Sequence, residues 1–220
     1  MRWRPVSRVL LPFNRFFAKR RGGGFCPFCL VLALGAALLP GCAIPPATTP
    51  TDQSAWIARQ PALARLNRWQ AVGRIGVVND RDGWHASFQW TQSDPTYRID
   101  LVGPLGQGRV LVQGDEREVS VQTQDGQRWI APDPDALLEQ TLGVRLPVNG
   151  LRYWIRGLPE PGPATVLQTD TGGRLIRLEQ NGWRIDYPAY TSATPHELPA
   201  RLVARRQDLS VKLVIEQWKL

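Results

Sequence analysis

From residue 70 onward, apolar and polar side chains alternate with a period of two, segment after segment. Trp84, Ala86, Phe88 and Trp90 alternate with His85, Ser87 and Gln89. Tyr97, Ile99 and Leu101 alternate with Arg98 and Asp100; Val119 and Val121 with Glu118, Ser120 and Gln122. Trp183, Ile185 and Tyr187 alternate with Arg184 and Asp186; Val211, Leu213 and Ile215 with Lys212 and Glu216. A period of two places successive side chains on opposite faces of a strand, so each segment carries one apolar face and one wet face. Asp82-Gly83, Asp125-Gly126, Gly172-Gly173 and Asn181-Gly182 supply turns between them. About eleven strands fit into 70–131 and 165–218 on this reading. Their short connections predict a mainly β fold, an antiparallel meander that curls, because so many strands seldom stay flat and open.

Two regions depart from that period. Between Asp52 and Trp69, the residues Trp56, Ala62, Leu63 and Leu66 fall at helical spacing around Pro61, which predicts a kinked or split helix. Pro134 to Leu142 reads as a helix, with Asp133 or Asp135 as cap and Gly143 as terminator. A second short helix is expected over Val148 to Arg156, before Gly157-Leu158-Pro159. Helices inserted between two runs of strands can cover a sheet's concave face, burying Leu138, Leu142, Leu151, Trp154 and Ile155 against the aromatic strands.

The first 41 residues have a different character. Arg2, Arg4, Arg8, Arg15, Lys19, Arg20 and Arg21 precede an apolar run from Phe25 to Leu39, with no acidic residue among them. The run is too short for a comfortable membrane span of roughly 20 residues. Leu39-Pro40-Gly41-Cys42 closes it and resembles the lipobox of bacterial lipoproteins. A basic region, an apolar region and a small-residue cleavage site form an export signal. The expected division is a lipoprotein-type signal peptide over 1–41, a lipidated N-terminus and Pro/Thr-rich tether over 42–53, and one domain over 54–220. Cys42 would carry diacylglycerol and an N-acyl chain, more than one fatty chain being needed for stable anchoring.

That division changes what the charge means. The whole chain has 27 basic and 19 acidic residues and a net charge of +8. Seven of the basic residues precede Cys42, leaving 20 against 19 and a mature charge of +1. Bulk charge therefore gives no support for nucleic-acid binding, and the doublet Arg205-Arg206 reads as a solvated strand end. Cys26-Pro27-Phe28-Cys29 has redox spacing but lies in the discarded apolar run, without the βαβ context such a motif needs. With Cys42 acylated, the mature chain keeps no thiol, and its stability must come from an apolar core.

Catalytic signatures are missing. No cluster has metal-ligand spacing, and no nucleophile elbow, Walker loop or dinucleotide fingerprint occurs. Gly103-Pro104-Leu105-Gly106-Gln107-Gly108 is glycine-rich but joins two strands, whereas a phosphate cradle opens a helix. His196-Glu197 lacks a serine or metal partner and reads as a surface turn.

Two features ask for a function. Eight of the nine tryptophans follow Cys42. They either fill a core or line a pocket for an apolar guest beneath an incompletely closed lid. Leu105, held between Pro104 and Gly106 at a hairpin tip, is expected to be exposed. Burying one Leu is worth about 1.5–3 kcal/mol, too little to anchor a protein but enough to orient it at a bilayer.

Taken together, the residues resemble the LolB family of outer-membrane lipoprotein receptors. The similarity runs through Gly73-Arg74-Ile75-Gly76-Val77, Phe88-Gln89-Trp90-Thr91-Gln92, Pro104-Leu105-Gly106 and Leu146-Pro147. It continues through Tyr153-Trp154-Ile155-Arg156-Gly157-Leu158-Pro159, Gln180-Asn181-Gly182-Trp183, Leu198-Pro199 and Lys212-Leu213-Val214-Ile215. The resemblance implies an unclosed antiparallel β-barrel of LolA/LolB type, with short helices as a lid over a hydrophobic cavity. It implies a monomer at the periplasmic face of the outer membrane that accepts lipoproteins from a LolA-like carrier and inserts them into the inner leaflet. It further implies no cofactor, no metal and no enzymatic step, with cargo acyl chains as the ligand. Gly103, Pro104, Leu105 and Gly106 would form the membrane-directed loop. Trp84, Phe88, Trp90, Leu101, Leu138, Leu142, Leu151, Trp154, Ile155 and Trp183 would line the cavity and its lid. The alternatives are a general periplasmic lipid- or amphiphile-binding lipoprotein on the same scaffold, and an enzyme using His196 or Glu197.

Overall fold

Each alternating segment becomes a strand in a computed structural model that describes residues 53–79, 82–106, 108–143 and 146–220. The leader, Cys42 and the tether up to residue 52 lie outside the described residues. The strands are β1 (Arg68–Val78), β2 (Gly83–Ser93), β3 (Thr96–Val102), β4 (Arg109–Gly114), β5 (Val119–Thr123) and β6 (Arg128–Ala131). After the helical insertion come β7 (Val166–Thr169), β8 (Leu175–Gln180), β9 (Trp183–Ala193), β10 (His196–Arg206) and β11 (Leu209–Lys219). They form one 11-stranded sheet in the order β6-β5-β4-β3-β2-β1-β11-β10-β9-β8-β7. All neighbours are antiparallel. The chain therefore builds two meanders outward from a central pair, β1 with β11, and leaves β6 and β7 as unpaired edges. The sheet is antiparallel β as the alternation predicted, and it is unclosed as the family resemblance implied.

Burial follows the alternation. Ala86, Phe88 and Trp90 of β2 are buried, while His85, Ser87 and Gln89 are exposed. Val112 of β4 and Ile185 of β9 are far apart in strand order, yet both belong to one buried apolar cluster. A flat sheet could not bring them together, so the inner face is wrapped around a common core. The β1–β11 pair carries one irregularity. Val72 faces Gln217 but Gly73 faces Ile215, so Glu216 is an extra residue on β11. Gly73 permits the close approach: a Cβ there would sit 2.1 Å from the Val214 carbonyl oxygen.

Three α-helices accompany the sheet among the described residues. α1 (Ser54–Ala64) runs through Pro61 as one helix and ends before β1 begins at Arg68. Of the two outcomes expected at Pro61, a kink or a split, the split is excluded, and the helix stops short of Trp69. The amide that Pro61 lacks would have served the carbonyl of Ile57, on a residue 64% exposed where water can substitute. Trp69 is instead an inward residue of β1. α2 (Pro134–Leu142) starts on Asp133, whose carboxylate accepts from the Asp135 amide at 3.0 Å. It stops at Gly143, which is left-handed at φ 69°. Asp135 serves the next helix: it accepts from the Val148 amide at 2.8 Å, opening α3 (Val148–Trp154). Both capping candidates are used, one per helix. α2 packs on β5 and β6 and against α3.

His196 and Glu197 also differ from expectation. They lie in β10 rather than in a turn, and Arg174 donates to Glu197 Oε1 at 3.2 Å. Ladder pairing with Ala193 and Ser192 extends β10 to this point. All eleven strands and all three α-helices among the described residues fall within 53–220, so this segment carries the whole of the described apolar core.

Candidate functional site

The inner face brings distant tryptophans together. Phe88, Trp90 and Leu101 are buried on β2 and β3, Trp183 is buried on β9, and Leu138, Leu151, Trp154 and Ile155 are buried from the helical side. All belong to the same apolar cluster. Leu142 closes α2, but its side chain lies outside what the structure describes. Trp154 meets Trp183 with ring centroids 5.8 Å apart, so α3 touches the far wall of the sheet. Gly150 makes this possible, since a Cβ there would lie 2.6 Å from the Trp154 ring. Trp90 packs elsewhere: Trp69 lies 5.6 Å from it and 5.5 Å from Trp218, forming a separate aromatic group.

A cleft of about 570 Å³ opens where the end of α2 approaches the β1–β2 and β10–β11 connections. Val77, Trp84, Trp183 and Leu209 give it apolar walls. Asp82, Glu139, Arg206 and Asp208 supply polar groups around it. Trp84 is half-buried here rather than enclosed. Trp183 has two roles: it walls the cleft and contacts Trp154 behind it. The cleft thus ends on the packed interior, with the lid helix immediately beyond.

The interior holds polar atoms without partners. The indole NH groups of Trp69 and Trp154, the hydroxyls of Tyr97 and Tyr187, and the Thr169 hydroxyl are buried and unbonded. Each such group costs on the order of 1–3 kcal/mol relative to a satisfied one. Burial pushes the Tyr187 hydroxyl pKa well above the ordinary tyrosine value, with Tyr190 adding to it. Burial also pushes Tyr97 up to about 12, opposed by the nearby Arg152 charge. These hydroxyls stay neutral donors across the physiological range.

Arg156 was not among the sequence-derived site residues. Its guanidinium is buried and donates to the carbonyl of Leu66 at 2.8 Å, just past α1, tying the segment after α3 to the N-terminal helix. Burial lowers its pKa, with partial compensation from Asp94. It sits within the quoted Tyr153–Pro159 run, but charge alone gave no sign of burial.

The hairpin between β3 and β4 is built differently. Pro104–Gly106 form a single 3-10 turn in which Leu105 adopts φ 58° and ψ 20°. A left-handed Leu costs roughly 1–2 kcal/mol, and the turn uses it to hold the side chain outward, 97% exposed. The stem is fastened on both sides. Arg109 Nε donates to Asp100 at 2.9 Å, and this hydrogen bond holds the Asp100 carboxyl below its ordinary pKa. Gln124 Oε1 accepts from the Gly108 amide at 3.0 Å. The tip is apolar and exposed on a braced base, as the sequence predicted for Leu105. Among the described residues no group of three acidic, histidine or cysteine side chains could hold a metal. No described helix is long and apolar enough to cross a membrane.

Residues 67–218 match the family "Outer membrane lipoprotein LolB". The outer-membrane lipoprotein LolB of Pseudomonas paraeruginosa is 41% identical over 168 residues, covering 76% of this chain and 82% of its own. That of Pseudomonas fluorescens is 37% identical over 187 residues, covering 83% and 91%. Among solved structures, a LolA superfamily protein from Nitrosomonas europaea aligns with a TM-score of 0.45 at 9% identity, over 77% of this chain and 91% of that one. With the family match spanning every strand and the hairpin, the chain belongs to the outer-membrane lipoprotein LolB family.

Proposed function

We propose that this chain takes lipoproteins from a LolA-like periplasmic carrier into its apolar interior and releases them into the inner leaflet of the outer membrane. It works there as a monomer, facing the periplasm, anchored by the lipid on Cys42. The observation that carries this reading is the junction at Trp183, where a cleft lined by both apolar and charged side chains meets an apolar core closed by a short helix. Family membership supports the lipoprotein cargo and the outer-membrane setting. Acyl chains cannot cross water unaided, because each exposed methylene costs about 0.8 kcal/mol. A carrier hides them, and the receptor needs only a better site: a difference of about 1.4 kcal/mol biases the exchange tenfold. No nucleotide hydrolysis is needed for such a downhill step. The unbonded Trp154 NH and Tyr187 OH are donors that the ester and amide carbonyls of an acylated N-terminus can satisfy. Leu105 then enters the bilayer and opens a path for the chains.

The test loads the carrier with a lipoprotein and mixes it with the unlipidated domain 53–220. Cargo is expected to move to the domain; cargo that stays on the carrier overturns the proposal. Leu105→Glu is expected to leave acceptance intact and to reduce insertion into vesicles at least tenfold. Normal insertion would remove the loop from the mechanism.

A further inference from the structure

The outer face of the sheet beside the hairpin carries a groove of about 620 Å³, walled on one side by the Gly103–Gly106 turn. Its floor is Gly76, where a Cβ would find nothing within 4 Å. Gly76 pairs with His85 on one side and Lys212 on the other. Strand spacing therefore places these two residues about 10 Å apart across an open glycine. Arg201 joins them from β10, pairing with Val214, which pairs in turn with Arg74. No acidic residue is among those forming the groove. Glu216 bonds Arg74 at 2.7 Å and so neutralises that one cation. Arg201 and Lys212 have no ion-pair partner among the described residues. The positive charge is local, because the mature chain as a whole carries only +1.

We infer that this groove is a docking site for the phosphates of anionic phospholipids, engaged when Leu105 enters the bilayer. The inference rests on the membrane-directed reading of the hairpin. An apolar side chain projecting from one wall of a cationic groove matches the layering of a bilayer surface, with hydrocarbon inside and phosphate at its edge. Leu105 supplies the hydrocarbon contact, and Lys212, Arg201 and His85 supply donors at the phosphate level. The open floor at Gly76 leaves room for a headgroup between them. Docking there would turn the β1–β2–β11–β10 outer face toward the membrane and fix the orientation of the domain during release.

The test measures sedimentation of the unlipidated domain 53–220 with two kinds of vesicle. One contains phosphatidylethanolamine and phosphatidylglycerol, the other phosphatidylethanolamine and phosphatidylcholine. The domain should prefer the anionic vesicles, and the preference should shrink as salt rises. Each surface cation removed should weaken binding about fivefold, so Arg201→Gln with Lys212→Gln should lose about 25-fold on anionic vesicles and nothing on neutral ones. Leu105→Glu should lose binding to both. Circular dichroism should show all variants folded; both cations are on the outer face, so their loss leaves the core intact. Unchanged binding of the double variant to anionic vesicles overturns the inference while leaving the hairpin reading in place. Retained binding of Leu105→Glu to both vesicles overturns the hairpin reading itself. A double variant that binds vesicles normally but no longer receives cargo makes the groove a carrier contact, and the lipid inference falls.

Discussion

Tyr97 shows how a single hydroxyl in this interior sets a pH response. Its hydroxyl is buried without a partner, close to Gly114, where a Cβ would come within 2.8 Å of it. Arg152 lies over the ring at 5.6 Å. Burial raises the pKa from 10.0 to about 12. A raised folded-state value means that the folded chain holds its proton longer than the unfolded chain does. The stability linked to Tyr97 is therefore complete below pH 10 and is lost as the pH climbs toward 12. Tyr97→Phe removes both the orphaned donor and the ionisation. Stability from urea unfolding should be unchanged or higher by about 1 kcal/mol at pH 7, and the variant's advantage should grow between pH 10 and pH 11.5. An alkaline profile parallel to that of the parent would show that Tyr97 does not titrate across unfolding.

Among the elements, the central β1–β11 pair is where register is most demanding. Gly73→Ala drives a methyl into the Val214 carbonyl at 2.1 Å. Because backbone cannot swing aside as a side chain can, about 2–3 kcal/mol of stability should be lost. Gly76→Ala, three residues along on the open outer face, should instead gain about 0.5–1 kcal/mol. Urea midpoints of the two variants should move in opposite directions; a shared direction would refute the steric account. The extra residue at Glu216 had a trace in the sequence. Val211, Leu213 and Ile215 hold one phase, and Trp218 falls out of it, yet its ring packs on inward-facing Trp69. Most other strands and both caps of α2 were legible for the same reason: alternation, cap chemistry and turn glycines act over a few residues. The pairing of the first strand with the last was not legible, because alternation assigns a face but no partner. Leu105 could be read from its immediate neighbours. The cleft could not, because Trp84 and Trp183 lie 99 positions apart in the chain and meet only through that pairing. Arg156 was hidden because its burial depends on carbonyls at the end of a distant helix.

For the whole molecule, strand order decides how the interior can open. The edges β6 and β7 are joined in sequence by the segment that carries α2 and α3. Lifting the helices therefore breaks no strand pairing, whereas parting any internal pair would break a ladder. Displacing the helices exposes their own buried side chains but leaves every ladder intact, which makes them the opening of lowest cost in such a fold. In the closed arrangement Leu151 and Trp154 are fully buried and occupy the interior that a guest would need. This gives a large-to-small substitution opposite effects on two measurements. Leu151→Ala should lower stability by about 2–5 kcal/mol, since it deletes buried methyl groups from a packed core. It should also bind a fluorescent fatty-acid probe more tightly, because less of the protein's own packing must be displaced to admit the chain. In a rigid, preformed cavity the same truncation would remove wall contacts and weaken the probe. Melting temperature and probe titration on the same protein separate the two cases. A fall in both stability and affinity would show that the guest occupies space that Leu151 does not fill, and the lid would then need no displacement for loading.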